Sequence, residues 1–296
     1  MNFIKPDSLK IGDTVAILAT AGAVEDRENV LRAKKFFEEK GYKVEISKNA
    51  FDSYRYLAGS DEDKVNELHR LFSDTNIKAI ICMRGGYGAI RLINKIDYDL
   101  IKRNPKIFCG FSDISALSVM MLKRAGLMTY WAPMAQSDFG LECPDKFTID
   151  NFFKAINDDK LEILPEEIKI YHSGEAKGIL WGGNLSTVVS LCGQDFIPDE
   201  DFIFFAEDLN EPVYKIDKMF TQLMNIEKFA KNIRGIVLGD FLDVDNEKWL
   251  EELFIEIGNK LNIPVYGGYK ITHDKQKLTL PYGATAMLNE KSLLLV

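Results

Sequence analysis

A few short stretches of this 296-residue chain hold side chains suited to chemistry. The first is Gly110-Phe111-Ser112-Asp113-Ile114, where an apolar run ends at a serine and a helical pattern starts at the next residue. A hydroxyl held at a tight strand-to-helix turn, with a backbone N–H beside it, has the form of a nucleophile elbow. The match is partial, because an α/β-hydrolase elbow has glycine two residues after the serine and here that place is Ile114. Ser112 serves equally well as a helix N-cap, since serine is among the residues preferred for satisfying an orphan first-turn N–H.

A serine nucleophile needs a base, usually histidine, and a carboxylate to fix its tautomer and stabilise the imidazolium. The chain has three histidines. His69 lies in the polar helical pattern DEDKVNELHRLFSD and reads as a solvated surface residue; His172 follows the alternating IKIY and reads as structural. His273 sits in the glycine-led stretch Gly267-Gly268-Tyr269-Lys270-Ile271-Thr272-His273-Asp274, which has the loop chemistry of a site. For the acid, FIFFAEDLNEP ends an apolar run in two adjacent carboxylates, Glu207 and Asp208. Adjacent strand residues point to opposite faces, so at most one of them faces a cleft and the other is solvated or caps the helix that follows. Composition does not choose between them.

Arg84-Gly85-Gly86-Tyr87-Gly88 reads either as a tight turn or as a loop whose amides approach an anion closely. It lacks the closing Gly-Lys-Ser/Thr of a P-loop, and Arg91 stands where G-x-G-x-x-G needs its last glycine, so no nucleotide cofactor is expected. The scattered histidines offer no H-E-x-x-H or comparable spacing, so no metal is expected either. Cys82, Cys109, Cys143 and Cys192 form no C-x-x-C pair, and the first two lie inside apolar runs as buried free thiols would.

The elements that must position these residues follow from the hydrophobic rhythm. In the first half, short apolar runs such as TVAILAT (14–20), YKVEIS (42–47), IKAIICM (77–83), KIFCGF (106–111) and LMTYWAP (127–133) alternate with helical patterns near 25–40, 61–74, 87–96 and 113–126. That alternation predicts an α/β fold whose N-terminal domain is a doubly wound parallel sheet. Ligands gather beyond the carboxyl ends of such strands, which brings Thr20-Ala21-Gly22-Ala23, the Arg84 loop and Ser112 into play together. The second half is less regular, with several glycine-rich turns, and predicts a smaller, mixed, strand-rich C-terminal domain. The charged, proline-containing KAINDDKLEILPEE places the boundary so that residues 1–160 form the nucleophile domain and 161–296 the second.

Hydrophobic residues make up 46% of the chain and charged residues 28%, an ordinary globular composition. The net charge of −8 disfavours nucleic acid and anionic membranes as partners. The opening MNFIKPDSLKIGD has no apolar stretch of signal-peptide length, and nowhere do about 18 apolar residues run together, so a cytoplasmic protein is expected.

Taken in order, IGDTVAILATAGAV, RGGYGAIRLI, GFSDISAL, WGGNLS, FFAEDLNEPVYKIDKMFTQL, PVYGGYKITH and LTLPYGATAML resemble the LD-carboxypeptidase family of serine peptidases, which also includes microcin-C immunity peptidases. The resemblance implies Ser112 as nucleophile, Glu207 rather than Asp208 as the acid, and His273 as the base. It implies the backbone N–H groups of Gly86 and Asp113 as the oxyanion hole, with the first domain supplying the serine and the second the acid and base. One departure is that Thr272-His273 stands where family members often have a glycine-histidine pair. The implied activity is release of D-alanine from cytoplasmic murein tetrapeptides during peptidoglycan recycling, by a homodimer. The alternatives are cleavage of an aminoacyl-sulfamoyl adenylate and a non-catalytic two-domain protein gripping a small ligand. Arg84 is a candidate for a bidentate contact to a substrate carboxylate or for bracing its loop. Trp181, beside Gly182-Gly183-Asn184, is a candidate for lining the cleft or for core packing.

Overall fold

The structure, a computed structural model, describes residues 3–296. It divides into two compact units. One runs to Asn157 and takes in Thr279–Pro281; the other comprises Asp158–Leu278 and Tyr282–Val296.

The first unit is built on β1 (Thr14–Leu18), β2 (Lys43–Ile46), β3 (Ile77–Cys82), β4 (Ile107–Cys109) and β5 (Tyr130–Trp131), all parallel, in the order β2-β1-β3-β4-β5. The strand Leu280–Pro281 pairs antiparallel with β5 and closes that edge. Val15, Ile17, Ile80 and Ile81 are wholly buried, as expected of strands covered on both faces. Helix Arg27–Glu39 starts where the Asp26 carboxylate accepts the amides of Glu28 and Asn29 at 2.9 and 3.2 Å. It packs Phe37 against Phe139, ring centroids 4.8 Å apart, and Phe139 packs in turn on Phe152 of helix Lys146–Asn157 at 5.0 Å.

From β1 the chain turns back to β2 on one side and then crosses to β3 on the other, which makes the gap between β1 and β3 a topological switch point. Leu18 of β1 lies beside Cys82 of β3, and Ile81 of β3 beside Cys109 of β4. The loops that follow these strand ends therefore leave the sheet side by side. They carry Gly22, Gly86 and Ser112.

Two expected elements differ. The helix predicted near 87–96 is a single 3₁₀ turn at Ala89–Arg91, because Gly86 and Gly88 take φ values of 100° and 142°, outside any helix. The strand predicted over 127–133 shrinks to Tyr130–Trp131.

The second unit holds an eight-stranded mixed sheet. In chain order its strands are β6 (Leu161–Ile163), β7 (Lys169–His172), β8 (Ala176–Asn184), β9 (Phe202–Leu209), β10 (Ile233–Leu242) and β11 (Val265–Gly267); then, after β12, the Leu280–Pro281 strand of the first sheet, come β13 (Thr285–Leu288) and β14 (Leu293–Leu295). β8, β9, β10 and β11 run parallel at the centre, flanked by antiparallel pairs β8/β13 and β11/β7. Trp181 on β8 is fully buried among Phe202, Phe204, Phe196 and Phe229, with ring centroids 4.9, 5.5, 5.9 and 6.3 Å away. All four rings belong to this unit, so of the two sequence readings core packing is the one seen here.

Because Trp181 anchors this cluster, Trp181→Ala should lower the unfolding free energy by about 3–5 kcal/mol. Urea denaturation followed at the second unit's aromatic signal checks this, and a loss under about 1 kcal/mol would contradict the core assignment.

Candidate active site

Ser112 sits at the elbow with φ 60°, one of few described non-glycine residues in the left-handed region. Such a backbone costs of order 1–3 kcal/mol and persists only where its surroundings over-determine it. Part of that surrounding is the pair Gly110 and Ile114. A Cβ on Gly110 would lie 2.7 Å from Ile114 Cγ2, so the glycine gives its space to the isoleucine. This accounts for the departure seen in sequence: the elbow is tight because the residue two before the serine is small, and Ile114 fills the room left there. Ser112 opens a 3₁₀ turn, Ser112–Ile114, that runs into helix Ser115–Ala125, and no side chain caps either start. The hydroxyl is not spent on capping.

Gly85 lies directly against the serine. A Cβ there would meet Ser112 Cβ at 3.0 Å, its Oγ at 3.1 Å and the Asp113 nitrogen at 3.6 Å. Gly86 follows with φ 100° and is exposed. The loop is tied to its neighbour after β1, since the Gly22 N–H donates to the Gly85 carbonyl at 3.1 Å. Arg84 reaches the same neighbour, donating to the Ala23 carbonyl at 3.0 Å and pairing with Glu25 at 2.6 Å. Of its two sequence readings, bracing is the one seen here. The Asp113 side chain is buried and accepts the Ala89 N–H at 2.8 Å.

In the second unit, Glu207 near the carboxyl end of β9 is fully buried and its Oε2 lies 2.7 Å from His273 Nδ1. Burial pushes the Glu207 carboxyl above the usual carboxylate value, and the hydrogen bond and charge of His273 oppose that rise. His273 stands in the loop after β11. Its predecessor Thr272 is buried, and the Asp274 N–H donates to Thr272 Oγ1 at 3.1 Å, a hydroxyl turn that spans the histidine. The Ile271 carbonyl, one step earlier, accepts the Asp240 N–H at 3.0 Å and fixes the loop to the end of β10. The added threonine side chain thus has a local partner.

Asp208 takes a different part. It is buried, not solvated, and accepts the Ser186 N–H at 2.8 Å, the Asn184 side-chain amide at 3.0 Å and its neighbour Leu209 N–H at 2.9 Å. With Asn184, whose Oδ1 accepts the Thr187 N–H at 3.1 Å, it caps helix Leu185–Ser190. The capped helix precedes β9 in the chain, where the sequence reading placed it after. Asn184 lies beside Glu207 in the β8/β9 register, which is why both carboxylates find partners at one strand end. An Asn directly before a short helix was the available signal for this cap.

The other histidines are occupied elsewhere. His69 is half-buried, and its Nε2 accepts the Asp97 N–H at 2.9 Å, so it joins two helices instead of facing only solvent. His172 pairs with Val265 between β7 and β11. Cys82 and Cys109 are fully buried; burial pushes the Cys82 thiol up to about 12 and Cys109 well above its usual value. Among the described residues no helix is long and apolar enough to cross a membrane, and no three His, Cys, Asp or Glu side chains are grouped as a metal site requires.

Comparison with known proteins adds the following. Residues 15–132 match the LD-carboxypeptidase N-terminal domain and residues 177–288 the LD-carboxypeptidase C-terminal domain. A probable murein peptide carboxypeptidase of Bacillus subtilis is 34% identical over an alignment covering 96% of this chain and 91% of that one. The murein tetrapeptide carboxypeptidase of Pseudomonas aeruginosa is 30% identical, with 96% and 95% covered. The crystal structure of an MccF-like protein from Bacillus anthracis superposes with a TM-score of 0.92 at 29% identity, covering 98% of each chain.

The contact between Gly85 and Ser112 has a direct consequence. In Gly85→Ala the serine must give by a few tenths of an ångström; as a misplacement of about 1 Å costs on the order of 100-fold, a loss of roughly several-fold in reaction rate is expected. Labelling by a fluorophosphonate should slow by that factor while the melting temperature holds; labelling at the wild-type rate would contradict the elbow geometry.

Proposed function

Since the chain belongs to the LD-carboxypeptidase family of serine peptidases, we propose that it releases D-alanine from murein tetrapeptides in the cytoplasm, with Ser112, Glu207 and His273 as its catalytic residues. The observation that carries the residue assignment is the 2.7 Å contact between the buried Glu207 carboxylate and His273 Nδ1. With Nδ1–H donated to Glu207, Nε2 is the nitrogen left to take a proton, as a general base requires.

In the proposed reaction His273 Nε2 removes the proton from Ser112 Oγ as that oxygen attacks the carbonyl carbon of the L,D amide. The amides of Gly86 and Asp113 receive the developing oxyanion, each such donor being worth roughly 100- to 1000-fold in rate. The C–N bond then breaks, and His273 returns its proton to the leaving amine of D-alanine. Water, deprotonated by the same histidine, attacks the acyl-serine, frees the shortened peptide and restores the hydroxyl. The left-handed Ser112 backbone supports this role, because strain of that kind is retained where a side chain must be presented and not merely packed.

The substrate reading is supported by two curated relatives, at 34% and 30% identity, whose names specify murein peptides. A second reading, cleavage of an aminoacyl-sulfamoyl adenylate as in the microcin-C immunity peptidases, draws on the likeness to the MccF-like structure. Family membership sets aside the non-catalytic alternative. A homodimer is part of the proposal, and light scattering at micromolar concentration reads it directly.

Incubating the protein with a purified murein tetrapeptide should release free D-alanine. Ser112→Ala should abolish this and all fluorophosphonate labelling, and Glu207→Gln, which leaves the wrong histidine tautomer, should lower kcat by roughly 10⁴-fold. Cleavage of the sulfamoyl adenylate with the tetrapeptide left intact would select the second reading. Turnover of neither would refute both.

A further inference from the structure

The Asp113 side chain lies next to the nucleophile in sequence yet points away from it, into the protein. One oxygen accepts the Ala89 N–H at 2.8 Å, and the neighbouring Gly88 amide favours the charged carboxylate. Both residues belong to the loop that carries Gly86. We infer that the Asp113 carboxylate is a positioning residue that clamps the glycine loop, fixing the Gly86 amide relative to the amide of Asp113 itself. The inference rests on the proposed oxyanion role of those two amides and adds the part that sets their separation.

The loop from Arg84 to Ala89 has only a few ties. At its start the Gly85 carbonyl accepts from Gly22, and Arg84 grips the Ala23 carbonyl. At its end the Gly88 carbonyl accepts the Arg91 N–H at 3.2 Å within the 3₁₀ turn, and the Ala89 amide given to Asp113 ties that turn back to the serine elbow. Gly86 and the exposed Tyr87 lie between the two anchorages. An oxyanion hole works because its donors need no reorganisation as charge develops. Releasing one anchorage leaves Gly86 free to wander, which is a loss in the transition state and not in substrate binding.

A buried carboxylate is an expensive way to fill space, and its surroundings suit an anion. Lys64 of helix Asp61–Ser73 is fully buried and faces Asp113; it also lies 3.3 Å from Asp61, which in turn holds Arg91 and Lys95 at 2.9 and 3.0 Å. Cys82 on β3 also faces the group and is neutral at physiological pH. Desolvation outweighs the Ala89, Lys64 and Gly88 contributions and raises Asp113 to about 6. The sign follows. Above about 6 the charged carboxylate accepts the Ala89 amide; below it the neutral carboxyl is a weaker acceptor and the clamp loosens. The folded state holds this proton more tightly than the unfolded chain, so in the window from the ordinary carboxylate range up to about 6 the group favours folding as pH falls. Acid should therefore remove activity through Asp113 without unfolding the unit.

The test is Asp113→Asn, which keeps the shape but replaces the charged acceptor of the Ala89 amide by a weaker neutral one. On the tetrapeptide, kcat should fall roughly 10- to 100-fold with KM little changed. The acid limb of log kcat against pH should also change, its slope falling by the one proton that Asp113 contributes near pH 6 in the wild type. Amide exchange at Gly88 and Ala89, measured by NMR at a single pH and without substrate, should accelerate in the variant. Ala89→Pro deletes one donor from the other side, at a first-turn position where proline is tolerated, and should reproduce the kcat loss. Unchanged exchange would overturn the clamp whatever the activity. Faster exchange with wild-type kcat and slope would overturn the positioning role. An inactive wild type refutes instead the functional reading on which the inference stands, and the positioning role falls with it.

Discussion

The strained backbone of Ser112 is the constraint to which the first unit is fitted. A serine at φ 60° relaxes unless its surroundings prevent it. Ile114 occupies the space that a side chain on Gly110 would take, Gly85 leaves beside the serine Cβ and Oγ the room that a side chain would fill, and the Asp113 carboxylate accepts the Ala89 amide. Behind them stands the sheet order, which puts the ends of β1, β3 and β4 side by side so that their loops can touch at all. A single helix cap would hold a helix start but would not fix a hydroxyl in a left-handed turn.

The second unit is governed by buried carboxylates, and it treats two adjacent ones in opposite ways. Glu207 and Asp208 alternate across β9, so they face different partners. Asp208 is saturated by backbone and side-chain donors around a helix start, which is a structural use of negative charge. Glu207 is the more deeply buried and answers mainly to one titratable group, His273. A carboxylate whose partner is a histidine can stabilise the imidazolium when it forms; one already committed to amides cannot. The chemistry of the partners therefore separates the proposed acid from the cap where position in the sequence does not.

The parallel sheet of the first unit and the mixed, strand-rich second unit were legible from the alternation of apolar runs and helical patterns, because burial on both faces leaves strands such as TVAIL and IKAIIC almost free of polar residues. The helix near 87–96 was misjudged because its apolar spacing is real but Gly86 and Gly88 take positive φ values that no helix contains, leaving a single 3₁₀ turn. Trp181 was left open between cleft and core, since the four phenylalanines that enclose it come from several segments that only folding assembles. The choice of Glu207 over Asp208 needed the family resemblance, as the residues alone gave two equal carboxylates. His69 was taken as solvated because its helix is polar, and its bond to the Asp97 amide is invisible in periodicity.

Both places where the chain departs from an expected motif carry their own local compensation. Ile114 stands where a hydrolase elbow has glycine, and the missing room is supplied by Gly110 on the other side of the serine. Thr272 stands where a glycine often precedes the histidine, and its hydroxyl takes the Asp274 amide, bracketing His273 in a turn. In each case what is kept is the placement of the chemical group and what varies is the residue that secures it. A motif read letter by letter would count both as losses. Read as geometry, the elbow needs one small residue near the serine, and the histidine loop needs one tie for its backbone; either requirement has more than one solution.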